Sequence, residues 1–137
     1  MTKEESREKK KYLRRLTNAE HKRMNLKERI QEVEEAYQNA KAQNMSGFMS
    51  GSGTKHDLSD YIVKLEKLNQ DYFKWDLKAE EIKDVISMLE SGVEEKVLLL
   101  RYKDELNWGE IASVLHRSVS GIYAIHSMAL QNLEISK

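Results

Sequence analysis

The chain has 137 residues, 39% hydrophobic and 34% charged, with neither Pro nor Cys. Zero Cys excludes disulfides and thiolate metal sites and fits an intracellular protein, and no apolar run approaches the roughly 20 residues that a bilayer span needs. Formal net charge is zero but unevenly spread: residues 1–30 hold 11 Lys/Arg against 5 Asp/Glu, residues 31–92 hold 7 against 12, and residues 93–137 hold 5 against 6.

A charged fraction well above the usual quarter, without the strongest helix breaker, points to an all-α chain with long helices. The basic start has no apolar core of a secretory signal, so a cytoplasmic, membrane-free protein is expected. Lys9-Lys10-Lys11, Arg14-Arg15 and Lys22-Arg23 are open to two readings. They form a phosphate-contacting arm, or a solvated helix face that pairs with the acidic segment after it.

The first predicted element runs from about Lys3 to Asn44. Tyr12, Leu16, Ala19, Arg23, Leu26, Ile30, Val33, Tyr37 and Ala40 recur every third then fourth residue. That spacing is a coiled-coil seam, because 3.5 residues per turn keep such side chains on one partner. The second element, about Asp57 to Leu89, repeats it with Leu58, Tyr61, Leu65, Leu68, Tyr72, Trp75, Ala79, Ile82, Ile86 and Leu89. Between them, about residues 44–56, three glycines sit among Ser, Asn and Thr, a flexible connection that lets the chain reverse. A long antiparallel two-helix coiled-coil hairpin over residues 1–91 is expected; the alternative is that each seam pairs with another copy of the chain, making a homo-oligomer.

Ser91-Gly92 interrupts the second seam, and Gly92 is expected as a left-handed C-cap. Residues 92–137 then form the second predicted domain. Glu94 and Glu95 open a helix at its positive dipole end, and Arg101 is expected to face Glu105 or Glu110. Asn107 and Glu110 have capping-box spacing before a short helix bearing Trp108, Ile111, Ala112 and Leu115 on one face. His116-Arg117 breaks the chain, and Ser118 caps a last helix that buries Ile122, Ile125, Ala129, Leu130 and Leu133. Two short helices joined by so tight a turn make a helix-turn-helix pattern; the alternative is an ordinary three-helix bundle with no nucleic-acid role.

The stretch LLLRYKDELNWGEIASVLHRSVSGIYAIHSMALQNL resembles region 4 of sigma-70 family factors. Leu100, Arg101, Tyr102, Trp108, Glu110, Ile111, Ala112, Leu115, Ser118, Ile122, Ile125, Ala129, Leu130 and Leu133 carry the likeness. The whole layout is similar to small phage and prophage late-gene regulators of the ArpU/RinA type. The resemblance implies a transcriptional regulator that binds double-stranded DNA, with RNA polymerase as a second partner. Contacts are expected from Ser118, Val119, Ser120, Tyr123 and Ser127, with Arg117 and His116 touching phosphates. The family turn usually has Gly where His116 stands, and several outward positions that are Arg, Lys or Gln in relatives are neutral here. The rival reading is therefore a protein-interaction module that binds polymerase or a host regulator without reading DNA. His21, His56, His116 and His126 show no metal-ligand spacing and are expected to face solvent or cap helices. No nucleophile motif, P-loop or dinucleotide fingerprint occurs, so no enzyme, metal or cofactor is expected.

Overall fold

The computed structural model describes residues 1–45 and 58–135. Most of the expected flexible connection lies outside the described residues. Among the described residues there are five α-helices and no strand: α1 (Lys3–Met45), α2 (Leu58–Ser87), α3 (Gly92–Tyr102), α4 (Trp108–Leu115) and α5 (Val119–Asn132). The all-α expectation holds. None of these helices is long and apolar enough to cross a membrane.

The chain groups into two compact units, residues 1–21 with 76–137 and residues 22–75. In the second, 22–75, the paired residues show that α1 and α2 run in opposite directions. Tyr37 meets Tyr61 with ring centroids 6.1 Å apart, and the Lys22 ammonium lies 5.9 Å from the centre of the Trp75 ring. Advancing along α1 means receding along α2. The seam here is only half covered: Leu26, Ile30, Val33, Tyr61, Leu65 and Tyr72 are intermediate in exposure, while Ala40 and Leu68 are buried. Two helices alone cover one narrow stripe of each other.

The first unit has a deeper core. Leu13, Leu16 and Ala19 of α1 are fully buried, as are Ala79 and Ile86 of α2. Among α3–α5, Val97, Ile111, Ala112 and Ile122 form one cluster, with Leu100, Leu106, Trp108, Leu115 and Ile125 packed against it. α5 packs on both α3 and α4. Lys83 of α2 bridges Glu20 of α1 and Glu80, each at 3.2 Å.

The helix starts follow local chemistry. Ser91 is the N-cap of α3, its hydroxyl accepting the Glu94 N–H at 3.4 Å, and Gly92 is the first helical residue. Gly92 is therefore not the left-handed C-cap expected from the sequence. The Ser91-x-x-Glu94 spacing makes this an N-cap site, which the glycine signal had masked. α2 ends at Ser87, two residues before the expected Leu89.

Candidate nucleic-acid interface

α4 begins with the expected capping box. Asn107 Oδ1 accepts the Glu110 N–H at 2.8 Å, and Glu110 Oε1 accepts the Asn107 N–H at 3.0 Å. Its end is set by His116, which is left-handed at φ 55°. The Arg117 N–H donates to Ala112 O at 3.0 Å and the His116 N–H to Ser113 O at 3.3 Å. These are the two hydrogen bonds of a Schellman turn. A β-carbon disfavours this conformation by roughly 1–2 kcal/mol, so His116 takes on the strain that Gly would avoid.

α5 starts immediately. Ser118 is extended, and its Oγ accepts the Gly121 N–H at 3.0 Å while sharing a hydrogen bond with Ser120 Oγ at 3.3 Å. A β-carbon on Gly121 would lie 3.1 Å from Ser118 Oγ. Glycine there leaves the cap undisturbed.

His116, Arg117, Ser118, Val119, Ser120, Tyr123 and Ser127 are all exposed, as is Ala124. Ile122 and Ala129 point the other way and are buried. The three-residue turn thus brings the predicted residues onto one open surface, with Ser118 engaged in holding the start of α5. α5 itself contains no Asp, Glu, Lys or Arg.

Behind that surface lies an aromatic cluster. Tyr123 rests against Trp108, centroids 5.0 Å apart, and the Arg101 guanidinium covers Trp108 at 4.2 Å from its ring centre. Arg101 also donates to Leu106 O at 3.1 Å. The expected pairing of Arg101 with Glu105 or Glu110 is corrected: Glu110 closes the capping box, Glu105 takes His21, and the guanidinium prefers a flat ring and a backbone carbonyl.

His126 also differs from the expectation. It is neither solvent-facing nor a cap but buried, with 6% of its surface exposed. Its Nε2 lies 2.9 Å from the Tyr102 hydroxyl, and Trp108 meets it edge-on with centroids 4.7 Å apart. Burial, then the Lys10 ammonium and the Arg101 guanidinium, lower it from 6.5 to about 4. Burial likewise raises the Tyr102 phenol, against the opposing pull of Arg14 and Arg101. His126 is neutral at pH 7 and completes a packed polar pair beneath α5.

Residues of α1 also reach this region. Thr17 Oγ1 donates to Tyr102 O at 2.6 Å, and Lys9 Nζ donates to Leu130 O at 2.8 Å in the last turn of α5. These long-range contacts carry no local signature in the sequence. Among the described residues, no three His, Asp or Glu side chains converge as metal ligands. Compared with family models, characterised proteins and solved structures, the chain matches none.

Proposed function

We propose that the chain is a phage- or prophage-type transcriptional regulator whose α4 and α5 form a sigma region 4-like helix-turn-helix for duplex DNA. α4 lies behind, and α5 enters the major groove as the recognition helix. The observation that carries this reading is the joined set of Schellman turn and Ser118 cap. Together they turn the chain within three residues and leave Val119, Ser120, Tyr123 and Ser127 open along one side of α5. Serine hydroxyls suit phosphates and base edges, Tyr123 suits phosphate or a base edge, and Val119 suits thymine methyls. Arg117 and His116, exposed beside the start of α5, suit phosphates flanking such a helix. Bidentate Arg–guanine readout is not available from α5, so base discrimination is modest. The paired α1–α2 segments, read as a coiled-coil hairpin, set the copy number in the assembly or dock on RNA polymerase.

A second reading has its own support: a helix without charge, bearing exposed Val119, Tyr123 and Met128, also suits a protein partner such as polymerase. Duplex titrations across a salt series separate the two. Affinity that falls steeply with salt supports the DNA reading; salt-insensitive binding to polymerase, with no duplex retained, overturns it.

A further inference from the structure

A helix that enters a DNA groove works beside a source of positive charge, since phosphate neutralisation supplies most non-specific affinity. α5 has none of its own, and residues 76–137 as a whole carry 7 Lys/Arg against 11 Asp/Glu. Residues 1–21 carry 7 against 4, and they belong to the same compact unit.

The placement of that charge is specific. Lys3, Arg7, Lys10, Arg14, Thr17 and His21 follow one another at steps of four and three residues, which puts them on one face of α1. The C-terminal end of this face is anchored to the α3–α5 half of the unit, through Thr17 on Tyr102 O and His21 on Glu105. Midway, Lys10 and Arg14 come close enough to act electrostatically on His126 and Tyr102 respectively. Beside the face, Lys9 fastens α1 to the last turn of α5 through Leu130 O and Gln131 O. Lys9 is thereby a structural tie, whereas Arg7 and Arg14 are exposed. Arg14 thus lies on the anchored stretch of this face, near enough to Tyr102 to act on it, and Arg7 follows it two turns earlier by helical period.

We infer that the DNA-binding surface is composite: α5 supplies the groove-facing side chains, and the basic face of α1, through Arg7, Lys10 and Arg14, supplies phosphate contacts that α5 lacks. The inference rests on the reading of α5 as a groove-binding helix. It assigns the N-terminal basic residues to a rigid part of the same interface, not to a loose arm.

The test uses the full-length chain and a fluorescent random-sequence duplex, with anisotropy titrations from low to 0.3 M salt. The double variant Arg7→Ala/Arg14→Ala is expected to lower the slope of log affinity on log salt by about 2, weakening binding roughly tenfold or more at 0.1 M salt. Arg7→Lys/Arg14→Lys restores the slope, and Arg15→Ala/Arg29→Ala, a matched loss of two exposed charges off this face, leaves it near wild type. Unchanged far-ultraviolet circular dichroism shows that the variants are folded. Binding by wild type with no change of slope in Arg7→Ala/Arg14→Ala, or an equal change in Arg15→Ala/Arg29→Ala, overturns the composite surface while sparing the DNA reading. Absence of duplex binding by wild type at low salt overturns both.

Discussion

One apolar spacing runs the length of α1, yet it produces two kinds of core. Before His21, Leu13, Leu16 and Ala19 are wholly buried; after it, Leu26, Ile30 and Val33 stay half exposed. α2 shows the same contrast, with Ala79, Ile82 and Ile86 buried and Tyr61, Leu65 and Tyr72 half exposed. The difference lies in how many layers are present. Among the described residues of 22–75 each helix has a single partner, and Met24, Ile62, Val63 and Phe73 remain largely exposed. In the other unit α3, α4 and α5 are also present, and a wider face of α1 is covered. Hydrophobic pattern selects the contacting face; the number of layers decides how completely it is buried.

Core truncations break or sharpen this contrast most strongly. Leu16→Ala is expected to cost about 3 kcal/mol or more, and Leu65→Ala about 1 kcal/mol, because the second side chain is already half hydrated. Urea unfolding of both variants measures the gap, and equal costs would erase the distinction. Next in size is a pH effect confined to the first unit. An unfolded His takes up its proton near pH 6.5, whereas folded His126 does so only near 4. Its contribution is complete above pH 6.5, and about 2 kcal/mol of it is lost between pH 7.5 and pH 5. His126→Gln removes that portion of the pH dependence, and amide exchange should locate it in residues around Tyr102 and Trp108 rather than in 22–75.

Smaller again is the capping box. Asn107→Ala is expected to cost about 1 kcal/mol, read as a lowered melting temperature and faster exchange at the start of α4. At the bottom of the scale, Lys67 pairs with Asp71 at 3.2 Å on exposed side chains of the second unit. Lys67→Ala should cost no more than about 0.5 kcal/mol, vanishing in high salt. A larger effect would mean that this helix face is covered by something in solution.

These contrasts explain which parts of the molecule could be read from its sequence. The Asn107–Glu110 box and the Ser118 cap are local patterns, and each appears where its spacing places it. The exposed residues of α5 were legible for the same reason, since helical period alone separates Tyr123 and Ser127 from Ile122 and Ala129. Leu13 escaped the two-helix seam because that pattern counts one narrow stripe, and the extra width matters only where further helices pack. His126 and Arg101 were misjudged because their partners are contributed by other helices: Tyr102 lies 24 residues from His126, and no local spacing announces a ring stacked on a guanidinium. The tie between the basic start of α1 and α5 was invisible to periodicity for the same reason.

That tie has a consequence for how the protein is made. Lys9 and Leu130, joined by a hydrogen bond, stand 121 positions apart, and contacts of such separation delay folding because a long loop must close first. During synthesis the opening turns of α1 leave the ribosome well before α5 exists. Until then Leu13, Leu16 and Ala19 lack the helices that complete their compact unit, and the dense cationic surround of that segment opposes premature self-association. The charges here assigned to phosphate would first serve the newborn chain as its own solubiliser.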